Sequence, residues 1–146
     1  MDRFKVYTHE KLFSEGAILI LDMELGILTL LTDTTVTEQQ ILTPSEMYIV
    51  EALLDSYPDY CPHEVMLSAM TGKSLEKCRE RVLWGLNNGA IDLVMHPVRN
   101  LLARCRMKLN PFDIHVKSML NTGYIIVSSK RLLSSTATRG ERRERE

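Results

Sequence analysis

The amino-acid sequence predicts an α+β fold with a β-rich first part, a helical middle and a β-hairpin near its C-terminal end. Residues 17–42 contain short apolar runs separated by polar turn residues, as is typical of antiparallel strands. In four successive segments between residues 43 and 109, apolar residues recur at helical spacing. Residues 116–128 contain a segment of alternating polar and apolar residues followed by an apolar segment. Between the two lies Asn121-Thr122-Gly123, whose residue types tolerate the positive φ of a tight turn.

The chain length and composition predict one domain with short tails. It has 146 residues, 45% of them hydrophobic, which suits a single core. We expect an N-terminal segment at 1–16, the domain at 17–129 and a flexible charged tail at 130–146. Apolar runs are far too short to cross a bilayer, and the N-terminus lacks the pattern of a secretory signal. A cytoplasmic protein without membrane contact is therefore expected.

The reactive residue types form no recognisable catalytic or metal-binding pattern. The chain has no Gly-rich phosphate loop, nucleophile elbow or His-Glu-x-x-His motif, and its four histidines lack ligand spacing. We expect His63 and His96 to be surface or capping residues. The three cysteines, Cys61, Cys78 and Cys105, lack Cys-x-x-Cys spacing and are expected to be reduced. Cys105 is expected to lie in the core. The sequence therefore predicts no enzyme activity, no cofactor and no metal.

The clearest local signal predicts where the first helix begins. In Leu42-Thr43-Pro44-Ser45-Glu46, Thr43 can cap the helix, Pro44 suits its first position, and Glu46 completes a capping box. This helix is expected to end at Tyr57-Pro58-Asp59. A second short helix follows Pro62 and stops near Thr71-Gly72.

Two further helices are predicted before the hairpin. The first, at 74–86, carries apolar residues at steps of three and four and is closed by Asn87-Asn88-Gly89. The second, at 98–109, places Val98, Leu102, Cys105 and Leu109 on one buried stripe. Its opposite arc is small or polar and is flanked by basic residues: Asn100, Ala103, Arg104 and Met107, with Arg99, Arg106 and Lys108.

The charges are divided unevenly along the chain. Residues 1–95 carry seven Lys or Arg against fifteen Asp or Glu, whereas residues 96–131 carry seven basic residues against one acidic residue. Such a division fits a one-faced surface for phosphates, and a solvated basic face without a partner is the alternative. If the surface binds DNA, Arg and Asn on 98–109 would read guanine and adenine edges while the flanking basic residues hold phosphates.

The order of strands, helices and hairpin predicts a helix-turn-helix with a wing, and several segments resemble one family. That family is the C-terminal effector domain of OmpR/PhoB-type response regulators. Residues 42–46 resemble its Leu-Thr-x-x-Glu helix start, and 98–109 resemble its recognition helix. Three segments resemble its wing: Asn110-Pro111-Phe112-Asp113-Ile114, Val116-Lys117-Ser118-Met119 and Gly123-Tyr124-Ile125-Ile126.

The resemblance implies a bacterial or phage transcription regulator that binds double-stranded DNA, is nucleoid-associated when bound, and can pair as a homodimer on tandem sites. Since only sixteen residues precede the sheet, we expect a stand-alone effector without a receiver domain. The implied DNA-binding residues lie on the recognition helix and the wing: Arg99, Asn100, Ala103, Arg104, Arg106, Met107, Lys108, Lys117, Asn121 and Thr122.

This chain departs from the family in two places. The connection from Met70 to Val98 is long enough for the extra helix, and Leu120-Asn121 stand where the family often has Arg and Gly. In the family, the loop before the recognition helix meets RNA polymerase. The alternative function is therefore an adaptor that binds polymerase or another regulator through residues 72–96, with Leu83 and Trp84 as anchors. Trp84 packing this insert onto the core is the competing interpretation.

The inserted helix offers a second placement of the DNA-reading helix. Lys77, Arg79 and Arg81 would then face DNA. Glu76 and Glu80 on the same helix would repel phosphates, so the sequence favours 98–109.

Overall fold

The computed structural model describes residues 2–129, which begin with a four-stranded antiparallel sheet of sequential strands. Alternate side chains of the middle strands face the core, so Leu19, Leu21 and Leu28 are fully buried. The strands are β1 (Phe4–Tyr7), β2 (Ala17–Asp22), β3 (Ile27–Thr32) and β4 (Thr35–Ile41). The sheet thus has one face on the core, and β1 and β4 are its edges.

The N-terminal residues correct the expected domain boundary at residue 17. Phe4–Tyr7 pair with β2, with Val6 opposite Ile20, and Leu12 and Phe13 are buried beside the sheet. The Tyr7 hydroxyl donates to Asp55 at 2.8 Å. Residues 4–13 therefore belong to the domain. The expected charged tail, 130–146, lies outside the described residues.

Four helices follow the sheet, and the α+β fold class is confirmed. The capping box is formed as predicted: the Glu46 backbone N–H donates to Thr43 Oγ1, and Glu46 Oε1 accepts from the Thr43 N–H at 2.8 Å. Ser74 caps the inserted helix, which lies within one residue of the predicted range. The helices are α1 (Pro44–Ser56), α2 (His63–Thr71), α3 (Leu75–Asn87) and α4 (Ile91–Leu109).

The last helix is longer than predicted. It begins at Ile91 rather than Val98 and carries Pro97 in its interior. Proline removes the hydrogen bond to the carbonyl of Leu93, and this loss is tolerated because both residues are exposed. The added turns bury Val94 and Met95, so the helix also packs against α3.

A second sheet, of three strands, packs against α4. Its order is β5 (Cys61–Pro62), β7 (Gly123–Val127), β6 (His115–Met119). The hairpin turns at Leu120-Asn121-Thr122, one residue before the predicted Asn121-Thr122-Gly123, with Asn121 at φ 54°. A Cβ at Gly123 would stand 2.1 Å from the Cys61 carbonyl oxygen, so only glycine lets β5 and β7 approach this closely.

The core lies between α1, the inner face of the first sheet and the buried side of α4. The buried residues there include Leu53 and Leu54 of α1 and Leu102 of α4. Cys105 is buried among them, as predicted. Cys61 and Cys78 are also buried free thiols. None of the helices within residues 2–129 combines the length and the apolar composition that a membrane-spanning helix requires.

Candidate nucleic-acid interface

The outer face of α4 is exposed along its whole length. The helical period brings seven side chains to this face: Leu93, His96, Pro97, Asn100, Ala103, Arg104 and Met107. Four of them are residues that the sequence predicted for DNA contact. The first three were missed because the helix was expected to start at residue 98. Allowing Pro97 on an exposed face would have extended the helical pattern to them.

Two polar side chains on this face are within hydrogen-bonding distance. Asn100 Nδ2 lies 3.2 Å from His96 Nε2, one turn earlier on the helix. A carboxamide presents one donor and one acceptor side by side, which matches the major-groove edge of adenine. His96 therefore limits the orientations in which Asn100 presents its amide.

Arg104 and Lys117 are the predicted basic residues available for a ligand. Both are exposed, Arg104 on the outer face of α4 and Lys117 on β6. Neither has an ion pair or side-chain hydrogen bond within residues 2–129. Their charges can therefore engage phosphates without breaking an internal contact.

Arg99 and Arg106 flank the outer face and have partners on the side toward the hairpin. Arg99 lies 2.6 Å from Asp92, and the Tyr124 hydroxyl and the Asp92 carboxylate raise the pKa of Arg99 above its ordinary value. The Arg106 Nε donates to the Val116 carbonyl at 3.3 Å. Both guanidiniums remain exposed and keep further donors free to bind an anion.

Lys108 was predicted to bind DNA, and in the structure its ammonium has internal partners. Its ammonium donates to Glu46 Oε1 at 2.6 Å and to the Ile41 carbonyl at 3.0 Å. The Glu46 side chain is only 1% exposed, so withdrawing Lys108 would leave a buried carboxylate unpaired. No local sequence pattern predicts this pair, because its members are 62 residues apart along the chain.

The wing residues lie at the tip of the hairpin. Asn121 is exposed, and the Thr122 side chain donates to the Leu120 carbonyl at 2.9 Å. The Thr122 carbonyl accepts from the His63 N–H, at the start of α2. This hydrogen bond connects the turn to the helical part of the fold, and the exposed Asn121 side chain has no hydrogen-bond partner among residues 2–129.

A cleft of about 470 Å³ separates the C-terminal half of α4 from the wing. Its walls are Arg106, Met107 and Asn110 on one side and Ile114, His115 and Val116 on the other. Of the residues predicted for DNA contact, Arg106 and Met107 line this cleft, and the hairpin contributes His115 and Val116 to its opposite wall.

The inserted helix α3 packs against the rest of the fold through a narrow buried side. The two residues predicted to anchor a partner protein are exposed. Only Cys78, Val82 and Gly85 are buried. Leu83 is 51% exposed and Trp84 is 46% exposed, with the Arg81 guanidinium 5.0 Å from the Trp84 ring centre. Trp84 therefore lies outside the buried core, with nearly half of its surface exposed.

Basic residues of α3 line a separate cavity of about 290 Å³ between α2, α3 and α4. Lys73, Lys77 and Arg81 form its rim over a floor of Leu67, Cys78 and Val94, with Thr71 beside it. Arg79, by contrast, faces α2 and lies 3.8 Å from Glu64. The three basic residues proposed for the alternative DNA-reading helix therefore do not share one surface.

His63 is buried, which corrects its expected surface position. Its ring meets Tyr124 edge-on at 5.5 Å, and its Nδ1 has no hydrogen-bond partner among the described residues. Burial lowers the pKa of His63, and Arg99 adds to the effect. Within residues 2–129 no three His, Cys, Asp or Glu residues are placed to hold a metal ion.

Comparison with protein-family models, with curated proteins and with solved structures finds no match to this chain. The functional assignment therefore depends on the geometry of α4 and the hairpin.

Proposed function

We propose that this chain is a winged-helix protein that binds double-stranded DNA sequence-specifically and regulates transcription. In this proposal α4 is the recognition helix and the β6–β7 hairpin is the wing. The observation that carries it is the exposed outer face of α4, where Asn100 and Arg104 stand directly before a hairpin that bears Lys117.

The dimensions and chemistry of α4 support placing it in a major groove. A groove about 12 Å wide admits one helix. The 19-residue α4 is long enough to span it, and its central outer positions are the small Ala103 and the base-reading types Asn100 and Arg104. Met107 and Leu93 at the ends of the face suit contact with thymine methyl groups.

The flanking cations support contacts to the two DNA strands. Arg99 and Arg106 lie on the side of α4 that faces the hairpin, whereas Arg104 lies toward the opposite side. Lys117, Asn121 and Thr122 extend the polar surface along the hairpin. A phosphate backbone running through the cleft between α4 and β6 would meet Arg106, and Lys117 lies exposed next to the cleft residue Val116 on β6.

Selection of bound duplexes from a randomised pool tests this proposal. We expect wild type to enrich one sequence motif, and Asn100→Ala to lose about 1 to 3 kcal/mol of preference at one position while retaining nonspecific binding. Glu80→Gln, on the outer side of α3, is the control and should select the wild-type motif. Failure of wild type to enrich any motif would contradict the proposal.

A second candidate function is an adaptor that binds a protein, with RNA polymerase as the partner proposed. The exposure of Leu83 and Trp84 on the inserted helix favours it. Trp84→Ala should abolish retention of purified polymerase, and Arg104→Ala should not. Retention that is absent in wild type, or unchanged in Trp84→Ala, would contradict the adaptor function.

A further inference from the structure

The outer face of the first sheet is an apolar surface that nothing in residues 2–129 covers. Strand alternation and the pairing register place eight apolar side chains on it, two from each strand: Phe4, Val6, Ile18, Ile20, Ile27, Leu31, Val36 and Ile41. We name these eight residues the outer sheet face. The polar strand residues among them are Thr29 and Gln39, which hydrogen-bond to each other at 3.0 Å, and Asp22.

We propose that the outer sheet face is a homodimer interface, occupied by the same face of a second copy of this chain. This inference is independent of DNA binding, because α4 and the hairpin contribute no residue to it.

The apolar area matches what a dimer requires. Phe4, Val6, Val36 and Ile41 are 53%, 58%, 54% and 68% exposed. With full residue areas of about 150 to 200 Å², these fractions give roughly 400 Å² of apolar surface, and the four half-buried Ile and Leu residues add to it. A standard interface buries about 800 Å² per partner, a little over half of it apolar. The outer sheet face supplies that apolar share, and apolar patches of this size are often functional.

The charges of the face favour a second copy of the same chain. Its centre carries no ionisable group, so two faces can meet without opposing like charges. At one corner Arg3 pairs with Asp22 at 3.1 Å and with Glu24 at 3.3 Å. Each copy thus offers both a cation and an anion at its rim, which a two-fold axis can pair reciprocally.

Sedimentation equilibrium of the purified chain tests the proposal. We expect wild type to be a dimer of twice the 16.7 kDa chain mass at micromolar concentration. The Val6→Lys, Val36→Lys double variant should raise the dissociation constant at least tenfold, because it opposes four added charges across the interface. Both positions are more than half exposed, so the fold should persist, and circular dichroism checks this.

Leu83→Lys is the matched control, since it adds a charge at a similarly exposed apolar residue on α3. It should remain dimeric. A monomeric wild type, a dimer that the double variant leaves intact, or a dimer that Leu83→Lys also breaks would overturn the proposal.

Hydroxyl-radical footprinting of wild type provides a measurement that needs no variant. Phe4 and Val6 should gain protection as concentration rises through the dimer range. Protection that does not depend on concentration would mean that the chain covers the face itself, and reactivity at every concentration would mean that the face is open. Either result would also overturn the proposal.

Discussion

Lys108 Nζ and Glu46 Oε1 lie 2.6 Å apart and join the end of α4 to the start of α1. Glu46 uses the same oxygen to accept the Thr43 N–H that completes the capping box. One buried carboxylate therefore stabilises the first turn of α1 and fixes the C-terminal end of the proposed recognition helix.

Replacing Lys108 with Met should destabilise the fold by about 2 to 4 kcal/mol, because it leaves the Glu46 charge buried without its partner. Chemical denaturation would measure the loss. Adding Glu46→Gln should recover most of it, since Gln preserves the capping box and carries no charge. A single variant as stable as wild type would show that the pair contributes little.

The same pair predicts opposite pH dependences for wild type and Lys108→Met. Burial opposes ionisation, but the Lys108 hydrogen bond and the Thr43 N–H together hold the pKa of Glu46 below its ordinary 4.5. In wild type, the stability that the ionised Glu46 contributes is present above its ordinary pKa of 4.5 and is lost as pH falls through the lowered pKa. Without Lys108, burial dominates and raises the pKa of Glu46. Protonation of Glu46 in acid should therefore reduce the loss of stability that Lys108→Met causes. Unfolding at pH 7 and pH 4.5 checks this; an unchanged deficit would contradict it.

Removing Arg104 and Lys117 together should weaken DNA binding and reduce the salt slope by about 1.8, because each phosphate contact contributes about 0.9. Arg79→Ala with Arg81→Ala removes the same charge from α3 and should leave the slope nearly unchanged. Binding titrations at several salt concentrations compare the pairs. If only the α3 pair loses affinity, α3 and not α4 meets the DNA.

Gly123→Ala should destabilise the fold by about 3 kcal/mol, because its Cβ would collide with the Cys61 carbonyl and separate β5 from β7. Asn121→Gly, in the same turn, should change stability by no more than about 0.5 kcal/mol, since glycine adopts φ 54° without strain. Thermal unfolding of both variants measures the contrast. A fully stable Gly123→Ala would contradict the close approach.

Local sequence signals predicted local structure well. The Thr43 and Glu46 capping box, the α3 helix and the turn at Asn121 depend on residues a few positions apart, and each was found where the sequence indicated. β1 was missed because four residues carry little periodicity and its pairing partner in β2 is more than ten positions away.

The candidate site was predicted in outline but not in its electrostatics. Helical spacing was enough to place Asn100, Ala103 and Arg104 on one exposed face. The buried partner of Lys108 and the burial of His63 against the hairpin depend on contacts between distant segments, which periodicity does not encode. The exposed outer sheet face was likewise hidden until the register of all four strands was known.

The salt dependence of DNA affinity tests the central claim most directly. Four exposed cations border the proposed interface, Arg99, Arg104, Arg106 and Lys117, so log affinity should fall with log salt at a slope of about −3 to −4. Titrations of wild type against its selected duplex and against random DNA should give this slope, with tighter binding to the selected sequence. A slope near zero, with equal affinity for both duplexes, would contradict the account.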